Sequence, residues 1–168
     1  EILKTLMRDP DHRIRRESIR LFGKMGAGVT GEPLLKALED PEIPVRQAAM
    51  SVLGGLKVKA AVPSLRQIAE EYPGNRDLEE QKTAIAALGA IGDPEALPTL
   101  IAVLRRRRWI ARRTTEELRV AAAYALGALG GAEAVNALQS VGRSAPTALR
   151  QACEAALKGL QSETEAAR

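Results

Sequence analysis

The sequence has little of what most covalent bracing and much catalytic chemistry require. One cysteine in 168 residues excludes an internal disulfide, and one histidine beside it cannot complete a zinc site of any familiar spacing. Aromatic residues make up only 2% of the chain, so the core must be built from aliphatic side chains. Strand-like alternation of apolar and polar residues is missing throughout. The apolar runs fall far short of the roughly 20 residues of a membrane span, and no signal-peptide pattern opens the chain. These absences predict a cytoplasmic protein with no membrane span, no metal and no cofactor.

What is present favours helix. The chain is 45% hydrophobic, and alanine and leucine dominate that fraction over β-branched residues. Its length suffices for one continuous core and predicts a single domain. The formal charge of +4 is unevenly placed. Residues 105 to 119 carry seven arginines against two glutamates, so the excess positive charge lies in that one segment.

Two rows of residues recur in step. Leu21-Phe22-Gly23, Val52-Leu53-Gly54, Ala87-Leu88-Gly89, Ala125-Leu126-Gly127 and Ala156-Leu157-Lys158 follow one another at 31, 35, 38 and 31 residues. Leu3, Leu34, Leu65, Leu100 and Leu138 advance by 31, 31, 35 and 38. Two agreeing rows make each repeat a pair of helices divided by turn signals such as Asp9-Pro10 and Asp40-Pro41. First helices are predicted near 1–8, 32–39, 60–71, 95–107 and 132–142, and second helices near 11–25, 43–56, 77–91, 115–129 and 146–160. The repeats then run near 1–25, 31–56, 60–91, 95–129 and 132–160, giving one solenoid domain over 1–161 and a polar tail over 162–168. Residue 1 is not Met and the first helix is short, so the chain is expected to be a fragment of a longer one.

The blocks Val45-Arg46-Gln47-Ala48-Ala49, Leu118-Arg119-Val120-Ala121-Ala122 and Gly92-Asp93-Pro94-Glu95-Ala96-Leu97 carry a resemblance. They resemble the HEAT-repeat family, in particular its short bacterial form found in phycobilisome lyases. The resemblance implies an all-α, right-handed α-solenoid of about five HEAT-like helix pairs, with second helices lining the concave face. It also implies that an arginine near the start of each second helix, here Arg15, Arg46, Arg119 and Arg150, bonds the turn between helices. Gln81 takes that place in the third repeat.

Two surfaces are expected to bind. The insertions of repeats three and four fall between their helices and place Tyr72, Arg105, Arg106, Arg107, Arg108, Trp109, Arg112 and Arg113 on one edge. An arginine cluster around the sole tryptophan suits an anion, unless Glu70 and Glu71 neutralise it across the loops. On the concave face, helical spacing gathers Arg16, Arg20, Met50, Lys82, Ile85, Val120 and Tyr124, with an apolar centre suited to a partner helix unless Met50 and Ile85 pack between neighbouring helices. Cys153 reads as a core thiol.

With no catalytic constellation visible, the sequence points to a non-catalytic protein–protein interaction scaffold. Its partner would be another protein or another domain of the same polypeptide. Nucleic-acid or polyanion binding through Arg105 to Arg113 is one alternative, and a bilin-lyase-like subunit, by fold analogy, is another.

Overall fold

The computed structural model describes residues 2–26, 31–71, 76–107 and 112–166. Among these residues the chain is helical, without strands, and its helices pair off into five repeats. The first helices are α1 (Ile2–Leu6), α3 (Glu32–Lys36), α5 (Val62–Glu70), α7 (Leu97–Arg105) and α9 (Ala132–Gly142). The second helices are α2 (His12–Lys24), α4 (Ile43–Gly55), α6 (Leu78–Ile91), α8 (Arg112–Leu129) and α10 (Thr147–Ala166).

Local chemistry sets these boundaries. The Asp11 carboxylate accepts from the Arg13 N–H at 2.8 Å and that of Asp77 from the Glu80 N–H at 2.9 Å, satisfying amides that the first turn leaves free. Pro44, Pro63 and Pro98 stand in the first turns of α4, α5 and α7, where a missing N–H costs nothing. Gly92 closes α6 at φ 72°, a left-handed conformation that glycine adopts without penalty.

Five elements depart from the sequence expectation. A short 3₁₀ turn at Ala37–Glu39 ends the first helix of repeat two, and turns at Lys59–Ala61 and Pro94–Ala96 lead into those of repeats three and four. Helix α8 starts at Arg112, so part of the fourth repeat's insertion extends a helix. Helix α10 runs on through Ala166 into what reads as a tail, because Gln161, Glu163 and Glu165 are good helix formers.

The two leucine rows become the core. Leu34, Leu65, Leu100 and Leu138 are fully buried, as are Leu53, Leu88 and Leu126. Each contributes roughly 1.5–3 kcal/mol by leaving water. Leu3 and Leu157, on the first and last pairs, are only partly covered because each has a neighbouring repeat on one side.

Second helices stack in chain order, α2 on α4, α4 on α6, α6 on α8 and α8 on α10. Glycine permits the close approach. A Cβ on Gly89 would lie 2.7 Å from the Cα of Ala125 and 2.8 Å from its carbonyl oxygen. This tight second-helix layer is the wall on which the functional surfaces lie. Among the described residues no helix is long and apolar enough to cross a membrane.

Candidate functional site

Because the facing positions of α4, α6 and α8 are small, their exposed sides leave a groove of about 1380 Å³. Its floor is largely alanine, with Ala86, Ala90, Ala121 and Ala128 beside Val120 and Tyr124. Tyr124 is 54% exposed, an uncommon position for an aromatic ring unless something covers it. The rim is charged. Lys82 of α6 lies 2.7 Å from Glu79 and 3.7 Å from Glu117 of α8, and Arg113 lies 3.4 Å from Glu117. The hydrogen bond to Glu79 raises the Lys82 pKa, so the rim cation stays charged across the neutral range. No cysteine or histidine lines this groove. It can bind and orient an elongated, largely apolar molecule, and it supplies no thiol or imidazole.

The concave set predicted from helical spacing divides. Lys82, Val120 and Tyr124 line the groove. Met50 and Ile85 do not, since both are fully buried in the core. Angular position on one helix placed them outward, but second helices stack on both sides and cover those flanks. Arg16 and Arg20 lie on α2 away from the groove, each within ion-pair reach of Glu17, at 3.3 and 2.9 Å.

The repeated arginines act on backbone and on the next repeat together. Arg15 Nη1 donates to the carbonyls of Asp9 and Pro10 at 2.9 and 3.1 Å, while Nε and Nη2 grip both Asp40 oxygens at 2.7 and 2.8 Å. Burial alone would raise the Asp40 pKa; the Arg15 hydrogen bond, the Glu42 N–H and nearby Arg46 outweigh it and hold the group below its ordinary value. Arg46 repeats the pattern, donating to the Asp40 and Pro41 carbonyls at 2.7 and 3.0 Å and pairing with Glu80. Gln81, at the irregular third position, donates to the Ile68 and Glu71 carbonyls at 3.3 and 3.1 Å. Arg119 donates to the Leu104 carbonyl at 2.8 Å. Arg150 departs from the set. Its side chain is exposed and makes no hydrogen bond or ion pair among the described residues, the fifth pair having no Asp-Pro turn to offer it carbonyls.

The insertion edge is partly in view. Tyr72, Arg108 and Trp109 lie outside the described residues, as does the side chain of Arg112. Arg106 joins the two insertions by donating to the carbonyls of Glu71 and Glu70, each at 3.2 Å. The acidic side chains have other partners. Glu71 takes a two-point grip from Arg76 at 2.6 and 2.9 Å, and Glu70 accepts from the Thr99 hydroxyl. Arg105, Arg106, Arg107 and Arg119 converge on a notch of about 580 Å³ between the fourth and fifth repeats, closed by Ser140, Ser144 and Thr115. Arg113 projects on the other side, at the groove rim.

Sequence reasoning missed Glu80, and of Gln81 it read only that it stands in the arginine's place. Glu80 is a carboxylate at 1% exposure in a register that isoleucine, valine or leucine fills elsewhere, and Gln81 is fully buried. The only available signal was that this block broke the pattern. Cys153 is 1% exposed on α10, and burial pushes its thiol pKa up, away from nucleophilic reactivity.

A family model described as HEAT repeats matches residues 31–119 and 81–158. The chain is 30% identical over 132 residues to a phycocyanobilin lyase subunit alpha from Picosynechococcus sp. (strain ATCC 27264 / PCC 7002 / PR-6), a match covering 70% of this chain and 49% of that protein. It is 35% identical over 95 residues to the phycocyanobilin lyase subunit alpha of Nostoc sp. (strain PCC 7120 / SAG 25.82 / UTEX 2576), over 52% of this chain and 34% of that one. The chain thus spans half or less of these relatives' length. A chain in the complex of CpcE and CpcF of phycocyanin lyase from Nostoc sp. PCC7120 superimposes with a TM-score of 0.71 at 23% identity, over 95% of this chain and 64% of that one. The similarity in fold therefore extends over nearly all of this chain.

These relatives overturn the expectation of a non-catalytic scaffold and of a protein that is not an enzyme, since both are lyase subunits. That expectation rested on the lack of a catalytic motif, which is weak ground when an enzyme can divide its work between subunits and a reactive substrate. The fold and both leucine rows agree with the family match over most of the chain, and the protein belongs to the HEAT-repeat family.

Proposed function

We propose that this chain acts as a bilin-lyase subunit, holding a linear tetrapyrrole in the groove of α4, α6 and α8 while a second protein completes the site. The observation that carries this reading is the 30% identity over 132 residues to a phycocyanobilin lyase subunit alpha. The groove's form supports it. An alanine floor offers a smooth apolar bed, and Tyr124 offers a π-face for a conjugated ring. Its volume of about 1380 Å³ exceeds what a drug-sized molecule needs and leaves room for part of a second macromolecule.

Lys82 and Arg113 place cations at the rim, where the acidic side chains of a bilin would project. The groove's own chemistry is binding and orientation, so reactive groups come from the bilin and its acceptor. A two-protein lyase complex in the structurally similar relative supports a protein partner here.

The test is titration of phycocyanobilin into the full chain, followed by visible absorbance and fluorescence. The expected result is a saturable spectral shift that Tyr124→Ala weakens about tenfold through loss of stacking. A bilin spectrum unchanged from that in buffer, with and without the second lyase subunit, would overturn the reading.

A further inference from the structure

Repeat four breaks the arginine pattern in a way that its neighbours make legible. In the first two repeats the arginine bonds its own turn and also meets a carboxylate of the following repeat, Arg15 with Asp40 and Arg46 with Glu80. Asp40 stands six residues before Arg46. Six residues before Arg150 stands Ser144, which is neutral, and the register of Glu80 is taken by Leu149. Arg119 therefore donates one bond to the Leu104 carbonyl, and no carboxylate lies within ion-pair distance of it among the described residues.

The surroundings compound this. Arg119 is partly buried, and its pKa is lowered first by desolvation and next by the nearby charge of Arg107. Arg105 and Arg107 likewise have no ion-pair partner among the described residues, and all three line the notch of about 580 Å³ together with one acid, Glu116, whose charge acts on Arg119 in the opposite sense to that of Arg107. Thr115 lines it too. Its residue is 3% exposed, and its hydroxyl has no hydrogen-bond partner among the described residues. An unpartnered buried hydroxyl costs on the order of 1–3 kcal/mol, and an anion drawn in by the arginines would supply the acceptor that it lacks.

We propose that this notch binds a small, free, multiply charged oxyanion of the phosphate-ester or polycarboxylate class. Arg107 and Arg119 supply forked donors, Thr115 Oγ1 a hydroxyl donor, and Ser140 and Ser144 close the rim. The anion takes the place that Asp40 and Glu80 hold beside the earlier arginines. A cavity of this volume, set between two repeats, suits a small molecule better than a flat macromolecular surface. The site lies at the insertion edge, on the other side of Glu116 from the bilin groove, and does not depend on bilin binding.

The experiment is calorimetric titration of the full chain, without bilin, with pyrophosphate in one arm and citrate in the other, paired with thermal melts against potassium chloride of equal ionic strength. The expected result is one site per chain for at least one anion, with a saturable rise in melting temperature. Whichever anion binds more tightly names the class. Arg107→Gln and Thr115→Val should each weaken that binding about tenfold, as loss of one strong donor does. Both variants should fold, Arg107 being exposed and valine matching threonine in shape. Arg13→Gln, removing the same charge from α2, should bind as the wild type does. Stabilisation equal to that by chloride, unchanged binding in both notch variants, or an equal loss in Arg13→Gln would each overturn the proposal.

Discussion

Arg46 and Glu80, on consecutive second helices, form a two-point ion pair in which Nη2 donates to Oε2 at 3.0 Å and Glu80 is 1% exposed. The same carboxylate accepts from Arg76 Nη1 at 3.0 Å, so two arginines converge on one buried acid. Arg46 also bonds the Asp40-Pro41 turn, which joins three pieces of chain: the end of repeat two's first helix, its second helix and the second helix of repeat three. Stacking by alanine and leucine alone leaves helices free to slide, whereas a forked, directional bond fixes their relative height.

Glu80→Gln should destabilise the chain by about 3 kcal/mol, at the low end for removing one partner of a buried pair, because Arg46 keeps its turn carbonyls. Urea denaturation followed by far-ultraviolet circular dichroism measures it. A loss below about 1 kcal/mol would show that the pair is a spectator.

Acid should loosen this network in a definite window. The Asp40 and Glu71 carboxyls are both held below their ordinary values of 3.8 and 4.5. The stability they contribute is therefore fully present above those ordinary values and is lost as pH falls through the lower, folded ones. Melting temperature should stay level from pH 7 to about 5 and fall below about 4.5. Asp40→Asn should melt lower at pH 7 and lose less on acidification, so the two curves converge toward pH 3. Parallel curves would exclude Asp40 as a source of the acid sensitivity.

Two glycines should respond oppositely to the same substitution. At Gly89 the added methyl meets Ala125 backbone at 2.7 and 2.8 Å, and Gly89→Ala should cost about 1–3 kcal/mol by forcing α6 and α8 apart. At Gly159, exposed within α10, the methyl meets nothing within 4 Å, so Gly159→Ala should stabilise by about 0.5–1 kcal/mol through helix propensity. Thermal melts of both variants measured side by side decide the matter.

Helix pairing and core were readable because they are local and periodic. Leu34, Leu65, Leu100 and Leu138 announce one face, and Leu53, Leu88 and Leu126 the other. What depends on two neighbours at once could not be decided from one helix. Met50 and Ile85 pointed outward on a single helix and are covered by the helices stacked beside them. Glu80 looked like a flaw in the third block because its two arginines come from Arg46 upstream and Arg76 in the insertion. The groove was half visible: Val120 and Tyr124 marked its apolar character, but its floor of Ala86, Ala90 and Ala128 is the commonest residue type in the chain and carries no motif. The proposed lyase role was hidden for the same reason, since a surface that binds and orients has no residue signature of its own.

The groove can be closed without touching the core, which separates its occupancy from the fold. Ala86 is exposed on α6 and lines the floor near Tyr124. An indole there would occupy space now open to a ligand and would meet no buried neighbour, so Ala86→Trp should melt within about 1 °C of the wild type, as surface substitutions do. The same variant should lose phycocyanobilin uptake in the absorbance titration by tenfold or more, because displacement of a ligand from its bed removes all contacts at once. If Ala86→Trp folds normally and takes up bilin as the wild type does, then bilin binds elsewhere on the chain and the groove of α4, α6 and α8 is left for the partner subunit.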